Sequence, residues 1–330
     1  MELKRVALVL LGGVALAAAA CNTASPPIAT PTTHALPQLN PEIANGGTVT
    51  IAVPYLPTNF NPSTPAGSNR VTQMAMEQVW PQAFVVDPDY QAQTTGFVES
   101  AEVVGLKPMT VIYVIDPKAT WSDGYPITAT DFVFNWQHQL RIAPSLPSAG
   151  YLAGYRDIKS IAGSDGGKTV TVVFSTPYAD WEGLFANIIP AHIAGRDGWV
   201  SAFAGFHRSD LISGGPFILS SFEPGKRLVL ARNSRYWGSP AYVHSIVFLV
   251  ERSAQASLVG LRNGKVSIAE VAPGPGLERA IALAETIGTD LTVTTSPSPV
   301  LWQLVFNVTD PLVANVTVRR ALALITDPDQ

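Results

Sequence analysis

Five prolines (Pro26, Pro27, Pro31, Pro37 and Pro41) fall within residues 22–41, spaced by Thr, Ser and Ala, with no aromatic residue and no Lys, Arg, Asp or Glu among them. Such a stretch cannot bury enough apolar surface to offset the entropy of ordering it, so residues 21–45 read as an extended tether. Any globular body must therefore be built from residue 46 onward. Ahead of the tether the chain opens Met1-Glu2-Leu3-Lys4-Arg5 and then runs apolar over residues 6–20. A basic start and a short apolar run predict a secretory signal peptide over residues 1–20. The run is shorter than the roughly 20 residues that a membrane-spanning helix needs.

The apolar run ends Ala18-Ala19-Ala20-Cys21, and Cys21 is the sole cysteine. A cysteine directly after small residues at this place resembles the bacterial lipobox, although Ala18 stands where Leu is usual. The expectation is a diacylglycerol-modified Cys21 that holds the body at the outer face of the cell membrane. One cysteine excludes an internal disulfide and a Cys-rich metal site. A net charge of -4, without any cluster of Lys or Arg, leaves no footprint for nucleic acid. Hydrophobic residues make up 47% of the chain and charged ones 14%, enough to bury one large core or two ordinary ones.

Within the body, Thr48-Val49-Thr50-Ile51-Ala52-Val53 predicts a first strand after Gly46-Gly47. A helix is expected over 70–79, where Val71, Met74, Ala75 and Val79 recur at helical spacing. Strands are expected at 84–86, 100–104, 111–115, 168–174, 216–222, 228–232, 245–250, 291–294 and 301–306. Helices are expected at 180–187, 254–262, 277–285 and 316–325. Thr128-Ala129-Thr130-Asp131 has the look of a capping box ahead of a helix carrying Phe132, Phe134, Trp136 and Leu140. Strands and helices interleave, which predicts an α/β or α+β chain in two lobes. The amphipathic helix near the end has nothing after it to pack into, and the expectation is a second lobe cut short.

Motifs for catalysis are absent or fail on inspection. Gly163-Ser164-Asp165-Gly166-Gly167-Lys168-Thr169 invites a phosphate-loop reading, but Ala162 stands where the first glycine is required, so a β-turn is expected instead. Gly274-Pro275-Gly276 lacks the spacing of a dinucleotide loop, and neither Gly-x-Ser-x-Gly nor His-Glu-x-x-His occurs. His34, His138, His192, His207 and His244 are scattered singly. Asp123 reads as a turn residue and Asp131 as a first-turn helix charge. No enzyme, cofactor or metal site is expected. What remains is a set of aromatics beside Pro/Gly loops (Phe60, Trp80, Trp121, Trp136, Phe217, Trp237 and Trp302), a common lining for organic or peptide ligands.

Four stretches, in order, resemble the family 5 extracytoplasmic solute-binding proteins of ABC importers. They are Trp121-Ser122-Asp123-Gly124 through Asp131-Phe132; Gly214-Gly215-Pro216-Phe217 with Phe222-Glu223-Pro224-Gly225; Leu230-Ala231-Arg232-Asn233 through Trp237-Gly238; and Phe306-Asn307 followed by 316–324. Asn59-Phe60-Asn61-Pro62 is similar to the loop after the family's first strand. The resemblance implies a two-lobed, type II-like cleft receptor: lobe I from 46–68 and 184–268, an inserted subdomain over 69–183, and the start of lobe II over 269–330. It implies a monomer that captures di- or oligopeptides and delivers them to permease subunits in the membrane. Asn59, Phe60, Asn61, Gly215, Phe217 and Trp302 are the residues it suggests at the ligand. Asn233 and Tyr236-Trp237-Gly238 read as a structural corner. The tether and Pro190-Ala191-His192-Ile193 are also similar to a mycobacterial member engaged in phosphatidylinositol mannoside and lipoarabinomannan synthesis. That similarity keeps open an alternative role as a scaffold or regulator of cell-envelope glycolipid assembly.

Overall fold

A computed structural model of the chain describes residues 45–87, 90–142, 153–207, 212–271, 275–287, 291–294 and 306–325. Cys21, the tether up to residue 44, Trp302 and nearly all of the strand expected at 301–306 lie outside the described residues.

The first half contains β1 (Thr48–Val53), α1 (Arg70–Met76), β2 (Phe84–Val86), β3 (Ala92–Thr94), β4 (Val98–Leu106), β5 (Met109–Ile115) and α2 (Ala129–Ile142). Next come α3 (Ala153–Asp157), β6 (Ile158–Ser164), β7 (Thr169–Phe174) and α4 (Ala191–Asp197). The remainder holds β8 (Phe217–Glu223), β9 (Arg227–Arg232), β10 (Ser245–Val250), α5 (Ala254–Arg262), β11 (Ile268–Ala269), α6 (Pro275–Ile287), α7 (Pro311–Ala314) and α8 (Val316–Ile325). The class is mixed α/β, as expected.

Among the described residues the strands form three separate sheets. In the largest, ordered β11-β1-β10-β9-β8, β1 runs parallel to both β10 and β11, and Thr48 lies opposite Ser245. Parallel neighbours need a long crossover. Here the crossover carries the whole four-stranded antiparallel sheet β4-β5-β7-β6 between β1 and its partner. On the two central strands of that second sheet burial alternates strictly: Met109, Val111, Tyr113 and Ile115 on β5, and Val170, Val172 and Phe174 on β7, all face inward. Phe132 of α2 meets Tyr113 at 5.6 Å between ring centroids and Phe185 at 4.7 Å, closing an aromatic core beneath the sheet.

The helix start at 128–131 is a reciprocal cap. Thr128 N donates to Asp131 Oδ2 (3.0 Å), and Thr130 N donates to Thr128 Oγ1 (3.3 Å). Asp131 does more than the first-turn charge expected of it. It is buried, and its Oδ1 accepts from Ala191 N at 2.9 Å, which ties α2 to the start of α4. Burial pushes its carboxyl up, against the backbone N–H groups of Ala191 and Thr128 that pull it down. Asp165-Gly166-Gly167 is the turn between β6 and β7, with φ of 52°, 66° and 86°, so no phosphate loop forms there.

Two expected elements differ. Residues 180–187 hold only a short 3-10 turn at Trp181–Gly183, because Phe185 sits at φ 57°, in the left-handed region that ends a right-handed helix. Residues 291–294 join no ladder and are not a strand. Among the described residues, no helix is long and apolar enough to cross a membrane.

Candidate functional site

The site is organised around α1. Asn69 caps it, its side chain accepting from Thr72 N at 3.0 Å. Val71, Ala75 and Met76 turn into the core, which leaves Arg70, Gln73, Met74 and Glu77 at helical spacing along the other side. Three concavities converge on Glu77 at the C-terminal end of α1. The largest encloses about 990 Å3; it is floored by Trp80, Phe84 and Phe97 and edged by Tyr90, Glu182 and Trp237. A second, of about 510 Å3, lies against the five-stranded sheet and is lined by Val49, Ile51, Met74, Phe217, Ile246 and Phe248. The third, of about 580 Å3, is rich in amides, with Asn69, Gln73, Gln139 and Asn187 among its walls. Glu77 borders all three.

The Glu77 side chain reaches solvent, yet the packed surroundings desolvate its carboxyl and push it up from 4.5, against the Gln78 side chain and the Arg70 charge. Arg70 forks onto Glu270, with Nε to Oε2 at 3.0 Å and Nη2 to Oε1 at 2.7 Å. Both partners are well exposed (61% and 59%), so this pair adds at most about 1 kcal/mol of stability. Its effect is positional: it links the first residue of α1 to the residue after β11.

The residues expected at the ligand divide into two groups. Asn59, Phe60 and Asn61 are interior. Asn59 Nδ2 donates to Val200 O and Asn61 Nδ2 to Trp199 O, both at 2.9 Å, while Trp80 Nε1 donates to Phe60 O at 3.1 Å. These bonds pin the loop after β1 to residues 199–203, and the loop supports Trp80 from beneath. Gly215 and Phe217 do reach concavities, Gly215 the largest and Phe217 the apolar one. The close approach that glycine permits is made by the chain itself. Gly214 N and Gly215 N both donate to Val79 O (3.1 and 3.0 Å), and a Cβ on Gly215 would sit 2.5 Å from Gln78 O. Asn233 completes the corner, its Nδ2 donating to Gly215 O at 2.9 Å.

Asp123 and His192, 69 residues apart, are brought together. His192 Nε2 and Asp123 Oδ2 lie 2.8 Å apart, and the Tyr125 ring stacks on the imidazole at 4.5 Å. No third ligating group joins them: the described residues contain no cluster of three or more His, Cys, Asp or Glu able to hold a metal ion. Sequence reasoning did not single out Arg70, Gln73 or Glu77. The signal was present, because the same 3.6-residue period that marks the buried side of α1 also gathers these three polar residues opposite it.

The family model for bacterial extracellular solute-binding proteins, family 5 Middle, matches residues 99–330. The chain belongs to this family. It is 30% identical over 328 residues to the probable monoacyl phosphatidylinositol tetramannoside-binding protein LpqW of Mycobacterium tuberculosis, covering 96% of this chain and 50% of that one. It is 29% identical over 304 residues to the oligopeptide-binding protein OppA of Mycobacterium bovis, covering 88% and 49%. Among solved structures, a periplasmic EDTA-binding protein, EppA, superposes with a TM-score of 0.67 at 34% identity, over 74% of this chain and 47% of that one. The chain thus spans about half the length of the curated relatives it matches.

Proposed function

We propose that the chain is the ligand-capturing part of an ABC importer for di- or oligopeptides, and that the ligand lies along the outward side of α1. The observation that carries this reading is the convergence of three concavities on Glu77. One helix thereby offers charge, amides and an apolar wall within the reach of one extended ligand. The likeness to an oligopeptide-binding protein over most of the chain supports peptides as the ligand class. Gly215 and Phe217 belong to the ligand surface in this reading, and Asn59, Phe60 and Asn61 hold the loop beneath it. Residues 46–68 and 184–268 act as one lobe, 69–183 as its inserted subdomain, and residues from 269 lead into the second. Cys21 is the lipid anchor that keeps the body at the outer membrane face, beside its permease. Trp80 and Trp237 border the largest concavity, so peptide capture should change tryptophan fluorescence. A flat response across a chemically diverse set of short peptides contradicts the proposal.

The glycolipid alternative is favoured by one feature. Asn187 Nδ2 donates to Gln73 Oε1 at 3.3 Å, and both amides line the third concavity together with Asn69 and Gln139, a polar lining suited to sugar hydroxyls. With the likeness to a tetramannoside-binding protein, this reading predicts capture of a mannosylated lipid in micelles and no peptide binding.

A further inference from the structure

The largest concavity is distinguished from the other two by its charge. Three ionisable carboxyls, Glu77, Asp180 and Glu182, border it, and no Lys, Arg or His does so among the described residues. Its floor is aromatic: Trp80 and Phe97 are buried there, Phe84 is nearly so, and the Tyr236–Trp237 pair closes one side with rings 5.1 Å apart. The Tyr90 ring, half exposed, also borders it. The amide-rich concavity has Arg70 beside Glu77 and is electrically balanced; the apolar one has Glu77 alone.

A recess with an aromatic floor and an acidic rim attracts organic cations twice over. The carboxylates supply a negative field that draws in positive groups and repels anions. The rings of Tyr90, Tyr236 and Trp237, which keep exposed surface at the rim, can face ammonium and guanidinium groups and pack against the methylene stems that carry them. The volume of about 990 Å3 accommodates side chains of Lys or Arg size with part of their backbone. Asp180 and Glu182 sit on the short turn at Trp181–Gly183 with exposed side chains, so they can adjust to the ligand without disturbing the core.

From this arrangement we infer that the concavity between the β2–β3 hairpin, residues 180–183 and the Tyr236–Trp237 corner is a specificity subsite for basic peptides, selecting Lys and Arg side chains. The inference rests on the peptide reading above and adds the ligand's charge to it.

Calorimetric titration of the chain with tri-lysine, tri-alanine and tri-glutamate separates the two. Tri-lysine should bind at least about tenfold more tightly than tri-alanine, with tri-glutamate weakest. The preference should shrink as salt rises from 50 to 500 mM, because exposed charges are screened. An Asp180→Asn/Glu182→Gln double variant, checked for an unchanged circular dichroism spectrum, should bind tri-lysine and tri-alanine within about threefold of each other. Equal affinity of the parent for all three peptides overturns the charge subsite while leaving the peptide reading intact. A tri-lysine preference that survives in the double variant overturns this placement of the subsite. Binding of none of the three overturns the peptide reading and the subsite with it.

Discussion

The two larger sheets are made of similar residues and end in different states. In β5 and β7 every second side chain is buried beneath α2 and its aromatic cluster, and the sheet's inner face is sealed. In β1 and β10 most positions are only partly covered, and Val49, Ile51, Ile246 and Phe248 line an open apolar concavity. Both sheets carry β-branched and aromatic side chains in period-2 order, so composition does not separate them. The difference lies in what is packed on each face. A sealed sheet contributes stability; a half-covered one keeps apolar surface available for a ligand or for further protein. The site found here touches both: Met74 of α1 borders the concavity on the five-stranded sheet, and Phe185 packs on Tyr113 of the four-stranded one.

If the antiparallel sheet is the stabilising region, Phe132→Ala should produce the largest loss of stability, about 3–5 kcal/mol, read from urea unfolding. Phe132 is fully buried against Phe97, Tyr113 and Phe185. A loss below about 1 kcal/mol would mean that this core is not closed. Asn135→Leu should cost about 1–3 kcal/mol, since Asn135 pairs with both the N–H and the C=O of Ile189 inside the protein. Gly215→Ala should fall in a similar range, about 1–3 kcal/mol, as the added methyl meets Gln78 O. It should also weaken peptide binding by moving the turn beneath Glu77. On the open sheet, Ile246→Thr should cost less, about 1 kcal/mol or under, because its side chain is only partly covered. A cost equal to that of Phe132→Ala would abolish the contrast.

The smallest effect is a pH effect. The Glu77 carboxyl is raised, so as pH falls it takes up its proton earlier than an ordinary carboxylate with a value of 4.5. Affinity for a basic peptide should therefore begin to decline at a higher pH than an ordinary carboxylate would dictate, and Glu77→Gln should shift the onset of decline to lower pH. Titrations at pH 7.5, 6.0 and 5.0 with parent and variant check this. An identical onset in both would remove Glu77 from the ligand's field.

Much of the fold was legible because its signals are local. The alternation in β5 and β7, the capping residues at 128–131 and the Asp165-Gly166-Gly167 turn each announce themselves within a few residues. The edge strand β6, Ile-Lys-Ser-Ile-Ala-Gly-Ser, was not anticipated, since only Ile158 is buried and little alternation marks it. The helix expected at 180–187 failed because apolar spacing does not report that Phe185 takes a positive φ. The site was harder still. Asn59, Phe60 and Asn61 drew notice as an unusual loop, but tertiary contacts alone reveal that residues 199–203 anchor them. Glu77 was passed over because its meaning depends on three concavities assembled from segments more than 100 residues apart.

Photo-crosslinking tests the central claim, that the outward side of α1 faces the ligand and the sealed sheet does not. With p-benzoylphenylalanine at Met74, which borders two of the concavities, a labelled basic peptide should crosslink on irradiation. The same group at Lys159, exposed on β6, should capture none. Crosslinking at position 159 and not at 74 would contradict the account.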